Sequence, residues 1–151
     1  MILRVMTAEE FSVYRTLFIN EYAADLAVTR RCSMTEALHR AGESIDLVLD
    51  KGVATPSNRL WCLISAEQHI CGYLWITLSG QSAWISDFYI YSQWRGNGLG
   101  AEALQCLTQA LLADDITEIG LRVAANNSAA KHLYEKSGFT VTGVNMSKRL
   151  L

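Results

Sequence analysis

Apolar residues recur in this chain first at helical spacing and then at strand spacing, and the changes of period divide it into elements. Ile2 to Met6 is a short apolar run followed by Thr7 and Glu10, the spacing at which an N-cap threonine and an N3 glutamate satisfy each other's backbone donors. A helix is predicted to start there, with Phe11, Tyr14, Leu17 and Phe18 on its apolar face. A second helix is predicted from near Ser33 or Thr35 through Ala37, Leu38, Ala41, Ile45, Val48 and Leu49, ending at Lys51-Gly52. Glu21, Asp25, Glu36 and Glu43 fall in this helical region, where they fit either a solvated face or contact with a cationic acceptor. Thr55-Pro56-Ser57-Asn58 reads as loop. Leu60 to Ala66 and Ile70 to Leu78 then read as strands joined by Glu67-Gln68-His69, apolar on both alternating sets as in strands covered on each face.

Ser79-Gly80-Gln81-Ser82 turns the chain into a third strand, Ala83 to Tyr91. A glycine-rich turn follows and opens onto a helix, Leu99 to Ala113, with Ala103, Leu104, Leu107, Ala110 and Leu111 along one side. Ile116 to Val123 is the next predicted strand. Asn126-Asn127-Ser128 supplies capping side chains for a short helix, Ala129 to Ser137, closed by Gly138. Phe139 to Leu150 is predicted as a final strand, either continuous or folded as a hairpin near Gly143 to Asn145. Hairpin connections make the meander antiparallel, whereas the helical crossover makes the following strand parallel to its predecessor. The expected fold class is therefore α/β (α+β): a mixed, mostly antiparallel central sheet with helices on both faces, in one domain spanning residues 1–151.

Composition narrows the partners more than the fold. A formal charge of -2 and a pI near 5.9 argue against nucleic-acid or anionic-membrane binding, which a basic face would serve. Cys32, Cys62, Cys71 and Cys106 form no CxxC pair, and His39, His69 and His132 do not cluster with carboxylates, so no metal is expected. The opening MILRVMTAEEF lacks a basic region leading into a long apolar core, and no apolar run reaches the roughly 18 residues of a membrane span. A cytoplasmic protein is expected.

The strongest chemical signal is Arg95-Gly96-Asn97-Gly98-Leu99-Gly100, where small residues sit at a strand-to-helix turn whose N–H groups can face an anion at the helix's positive end. The dinucleotide fingerprint is spaced GxGxxG after the first strand of a parallel sheet and expects an acidic residue about 20 positions on. This turn has other spacing and an antiparallel lead-in, and Asp114-Asp115 falls at a helix end. A P-loop is excluded because no Gly-Lys-Ser/Thr follows.

SDFYIYSQWRGNGLGAEAL followed by NNSAAKHLYEKSGF resembles the paired signature of the GNAT superfamily of acetyl-CoA-dependent N-acetyltransferases. The matching positions are Arg95, Gly98 and Gly100 in the turn, and Asn127, Ala130, Leu133, Tyr134, Gly138 and Phe139 in the second element; ILRVMTAEEF is similar to the family's opening strand and helix. The resemblance implies a GNAT fold of about six or seven strands and about four helices, with acetyl-CoA in a V-shaped opening between the strand ending near Tyr91 and the one starting near Glu118. Phe88, Tyr89 and Ile90 would pair with pantetheine, and the backbone of Gly96, Asn97, Gly98, Leu99 and Gly100 would take the pyrophosphate without a metal, aided by Arg95. Asn127 would cradle the cofactor, cap its helix, or both.

In the chemistry that the resemblance implies, Tyr134 protonates the departing thiolate and Asp87 drains the proton of the attacking amine directly or through water, with a backbone N–H near Tyr89 or Ile90 on the oxyanion. The residues alone also fit Asp87 as a structural hydrogen-bonding group at a strand kink and Tyr134 as a core tyrosine covering the sheet. Trp61, Trp75 and Trp84 either line an acceptor pocket or pack the core. Ser92 stands where the family often has proline, and the segment after Phe139 is short for a final hairpin, so a second subunit, in a homodimer, is one way to complete the acceptor wall. The expected activity is acetyl transfer from acetyl-CoA to a primary amine; the alternative is an acyl-CoA-binding module without turnover.

Overall fold

A computed structural model describes residues 1–151. Four strands form an antiparallel meander and a fifth adds in parallel, giving the spatial order β1-β2-β3-β4-β5. The strands are β1 (Ile2–Val5), β2 (Asn58–Ile64), β3 (Ile70–Ser79), β4 (Ser82–Ile90) and β5 (Glu118–Leu121). The helices are α1 (Ala8–Thr29), α2 (Met34–Val48), α3 (Leu99–Ala113) and α4 (Ser128–Lys136). No helix is long and apolar enough to cross a membrane.

Local chemistry sets the helix starts. Thr7 Oγ1 accepts from the Glu10 N–H at 3.1 Å and Glu10 Oε1 accepts from the Thr7 N–H at 2.9 Å, closing the capping box of α1. Arg4 clamps the same carboxylate at 2.7 Å, and that hydrogen bond does most to lower the Glu10 pKa to about 2. Ser33 caps α2 and Asn127 caps α4, each through its side-chain oxygen.

Alternation along the strands divides two cores. Along β2, Trp61 and Leu63 join Leu74, Ile76, Leu104, Leu107 and Leu111 under α3, while Leu60, Cys62 and Ile64 join Tyr14, Ile45, Tyr73 and Trp75 under α1 and α2. Burying each large apolar side chain contributes roughly 1.5–3 kcal/mol, so a sheet covered on both faces stabilises both helical layers.

Three expectations change. The sheet has five strands, fewer than the six or seven expected, because Phe139 to Leu150 forms no strand. Every residue from Thr140 onward is exposed, and Val141, Val144, Met146 and Leu150 stand at irregular intervals that place no single apolar row on a sheet face. The strand expected over Ile116 to Val123 contracts to Glu118–Leu121, with Ile116 entering the core ahead of it. Asn58, expected in a loop, starts β2, and its Oδ1 accepts from Trp75 Nε1 at 2.8 Å and Thr77 Oγ1 at 3.1 Å.

Candidate active site

The site is built on a change of register within β4. Asp87 pairs with Trp75 and Ile85 with Ile76, so Ser86 is an extra residue, a β-bulge, between them. In an uninterrupted strand Asp87 would share the face of Ile85, which belongs to the core under α3. The bulge inverts the alternation and turns Asp87 toward α1, where the Tyr14 hydroxyl donates to Asp87 Oδ2 at 2.6 Å. Pairing with β5 also ends at Ile85, opposite Leu121, so Ser86 to Ile90 have a partner strand on one edge only. Beyond that point β4 and β5 are unpaired, at the position of the expected V-shaped opening.

Backbone groups face that opening in a fixed pattern. The Tyr91 N–H donates to Cys71 O at 2.9 Å, and ladder alternation therefore turns the N–H and C=O of Tyr89 toward β3 and those of Phe88 and Ile90 toward the gap. Of the two oxyanion donors considered from sequence, only that of Ile90 faces the opening. Arg95 Nε donates to the Ile90 carbonyl at 2.7 Å, and its guanidinium lies 5.2 Å from the Tyr89 ring centroid. Arg95 thus fastens the glycine turn to the end of β4.

The turn itself leaves donors free. Gly96 and Gly98 have φ of +79° and +75°, a left-handed conformation that side chains disfavour. Gly98 is the N-cap of α3 and offers no side-chain acceptor, unlike Thr7, Ser33 and Asn127 at the other helices. The backbone N–H groups of Gly96, Asn97, Gly98, Leu99, Gly100 and Ala101 have no protein acceptor. Leu99 joins the core under α3, and Gly100 lets α4 approach, since a Cβ there would lie 3.0 Å from Leu133 Cδ2.

Asp87 shares a cavity of about 170 Å³ with Ser86 and Tyr89 of β4 and Leu17, Phe18, Glu21, Tyr22 and Asp25 of α1. Burial pushes the Asp87 carboxyl above its ordinary value and the Glu21 charge adds to this; the Tyr14 hydrogen bond pulls the other way. The Phe88 N–H acts in the same sense as Tyr14, although its geometry falls short of a hydrogen bond. On α4, Tyr134 packs its ring 5.6 Å from that of Phe139 while its hydroxyl has no protein partner. Burial raises its pKa and the Asp87 charge raises it further, so the two groups sense each other.

The structure thus brings Asp87, the outward-facing backbone of Phe88 and Ile90, the Arg95–Gly100 turn and Tyr134 around one opening. Asn127 caps α4, accepting from the Ala130 N–H at 3.2 Å. Trp61 and Trp75 are core residues, and Trp84 covers Gly120 of β5; none lines the cavity beside Asp87. The sequence placed Tyr14 only on an apolar face; it allowed a strand kink at Asp87 but neither located the bulge at Ser86 nor found Tyr14 as the partner of Asp87. The available signal was that Tyr14, Leu17, Phe18, Glu21 and Asp25 form one stripe at helical spacing, apolar at one end and acidic at the other.

This geometry agrees with the family comparison. Residues 21–139 match the model of the acetyltransferase (GNAT) family. The chain belongs to the GNAT acetyltransferase family. This GNAT chain is 36% identical over 149 residues to the uncharacterized N-acetyltransferase YycN of Bacillus subtilis, covering 96% of each sequence. It is 26% identical to the uncharacterized N-acetyltransferase YdgE of the same organism, covering 96% of this chain and 95% of YdgE. The crystal structure of YycN superposes with a TM-score of 0.91, covering 99% of this chain and 98% of that one. Spermidine N-acetyltransferase from Vibrio cholerae, solved with CoA and spermine, shares the fold with a TM-score of 0.68 at 18% identity, over 94% of this chain and 82% of that one.

Proposed function

We propose that this GNAT acetyltransferase transfers the acetyl group of acetyl-CoA to a primary amine by direct attack. The observation that carries the reading is the open half of β4, where a half-buried carboxylate, unpaired backbone donors and the uncapped turn of α3 adjoin. These groups fit the donor's chemistry: pyrophosphate oxygens suit the free N–H groups of Gly96 to Ala101 at a helix N-terminus, and a pantetheine amide suits the exposed edge at Phe88, Ile90 keeping its N–H for the acetyl oxygen. Asn127 supports the opposite wall by holding α4 in place. When bound, acetyl-CoA supplies the activated acetyl thioester.

A primary amine, with pKa about 10, arrives as its ammonium form. The Glu21 and Asp25 carboxylates at the cavity favour that charge, and Asp87 takes the proton through Oδ1, the oxygen not bound to Tyr14. A raised pKa suits Asp87 to this task, because a base works best when its pKa approaches the operating pH. The nitrogen lone pair then forms the new C–N bond at the acetyl carbon, the Ile90 N–H stabilises the oxyanion, and the C–S bond breaks. Tyr134 passes its hydroxyl proton to the departing thiolate.

Release of free thiol from acetyl-CoA across a panel of primary amines tests the reading. Acetyl-CoA-dependent thiol release with at least one amine is expected; binding of acetyl-CoA without release from any amine would favour the binding module. Thermal-shift titration with CoA esters and with dinucleotides separates the donor classes, since a saturating ligand at about 100 times its dissociation constant stabilises by about 2.7 kcal/mol.

A further inference from the structure

Tyr14 is fully buried, yet its polar atom makes one hydrogen bond, to a carboxylate 73 residues away. Its ring is fixed by Tyr73 at 5.2 Å and Phe18 at 6.2 Å, so the hydroxyl has little freedom to turn elsewhere. The O···O distance of 2.6 Å is that of a charge-assisted bond to an ionised carboxylate. The Ser86 bulge is what brings Asp87 round to meet it. A buried tyrosine hydroxyl needs an acceptor, and the one it has here is a carboxylate that also borders an open cavity.

From this geometry we infer that Tyr14 is a positioning residue for acetyl transfer: its hydroxyl holds Asp87 Oδ2 so that Oδ1 faces the acceptor cavity as an ionised base. This rests on the assignment of Asp87 as base under the proposed function. Tyr14 is no proton relay, because its oxygen has no second partner and no access to solvent. Burial and the Asp87 charge keep its own proton in place, its pKa standing well above the ordinary tyrosine value. Its effect is on proton affinity. Around Asp87, Asp25 of α1 and Tyr89 of β4 line the same cavity, and the raised pKa of Tyr134 on α4 keeps that group neutral at working pH, while burial and the Glu21 charge from α1 favour the protonated acid. Tyr14 is the hydrogen-bonded side chain that opposes them, and without it the base would be more often protonated at neutral pH.

The test follows the Asp87 carboxyl carbon by NMR in protein labelled with ¹³C-aspartate, the resonance being assigned by its loss in Asp87→Asn. Tyr14→Phe is expected to raise the Asp87 midpoint by about one to two pH units, the usual strength of a hydrogen bond to a charged group. The acid limb of kcat/KM with 1,4-diaminobutane as probe amine should move up by the same amount, with most of the rate recovered at alkaline pH. An Asp87 midpoint unchanged within about 0.3 units would overturn the role of Tyr14, as would a rate loss equal at every pH. If the midpoint moves but Asp87→Asn retains the wild-type rate and acid limb, Tyr14 tunes Asp87 and it is the assignment of Asp87 as base that fails. Should Tyr14→Phe not fold, the chemical shift of the buried Tyr14 hydroxyl proton in the wild-type protein reports the charge on Asp87 instead: its midpoint must coincide with the kcat/KM acid limb, and a different midpoint overturns the inference.

Discussion

The two halves of β4 are continuous in sequence and opposite in use. Ser82 to Ile85 pair with β3 on one edge and β5 on the other, with Ala83 and Ile85 buried under α3. Beyond the Ser86 bulge, Asp87 to Ile90 keep only β3, and every one of these residues is partly accessible. One inserted residue redirects a carboxylate from the α3 face to the α1 face at the point where the ladder to β5 ends. A carboxylate is thereby placed beside an open cavity on a strand, without a loop.

The largest effect expected from breaking this contrast is at Asp87. Asp87→Asn should lower acetyl transfer by about a hundredfold or more, the low end of a general base's usual contribution, with acetyl-CoA affinity within a few-fold of wild type. Stability should move oppositely. A carboxyl whose folded pKa is raised loses stability as pH climbs from its unfolded value of 3.8 through the folded one, so the asparagine variant should melt no lower than wild type at pH about 8. Thermal melts against pH check this.

Tyr134→Phe should lower turnover by roughly tenfold or more while acetyl-CoA affinity stays within a few-fold, because the ring still packs on Phe139 and only the free hydroxyl is lost. Matched kinetics and calorimetric titration separate the two. Smaller again is a pair of glycine substitutions at the two ends of β4. Gly98→Ala and Gly80→Ala each force a side chain into a left-handed conformation, at φ of +75° and +59°, costing about 1–2 kcal/mol. Both should lower Tm, yet only Gly98→Ala should weaken acetyl-CoA binding, by up to about tenfold.

The smallest effect lies far from the opening. Glu10→Gln takes the charge out of the Arg4 clamp while keeping an amide oxygen for the capping box, so it should lower Tm by at most about 2–4 °C and leave turnover unchanged. The Glu10 pKa is lowered in the fold, so its contribution is complete above 4.5 and disappears as pH falls toward about 2. The gap in Tm between variant and wild type should close across that window.

Features decided within a few residues were legible in the sequence. The Thr7–Glu10 box, the Asn127 cap, the hairpin meander and the uncapped glycine turn each follow from local spacing, and the paired motifs led to the family. Features decided between distant segments were not. A bulge is a property of two strands, and nothing in SDFYI marks Ser86 as the residue that Trp75 and Ile76 skip. Helical periodicity buried the Tyr14 ring correctly but could not find the partner of its hydroxyl on β4. The tail shows the converse error. Val141 and Val144 carry strand propensity, but a strand forms only with a neighbour to pair with and a face to bury, and the tail has neither.

If Phe88 and Ile90 meet acetyl-CoA as proposed and Ser82 to Ile85 do not, the backbone amide shifts of ¹⁵N-labelled protein titrated with acetyl-CoA will divide at the Ser86 bulge. Large perturbations are expected at Phe88, Ile90 and Gly96 to Ala101, with Ser82 to Ile85 unmoved. Perturbations centred on Ser82 to Ile85, or a saturating response that bypasses the glycine turn, would contradict the proposal.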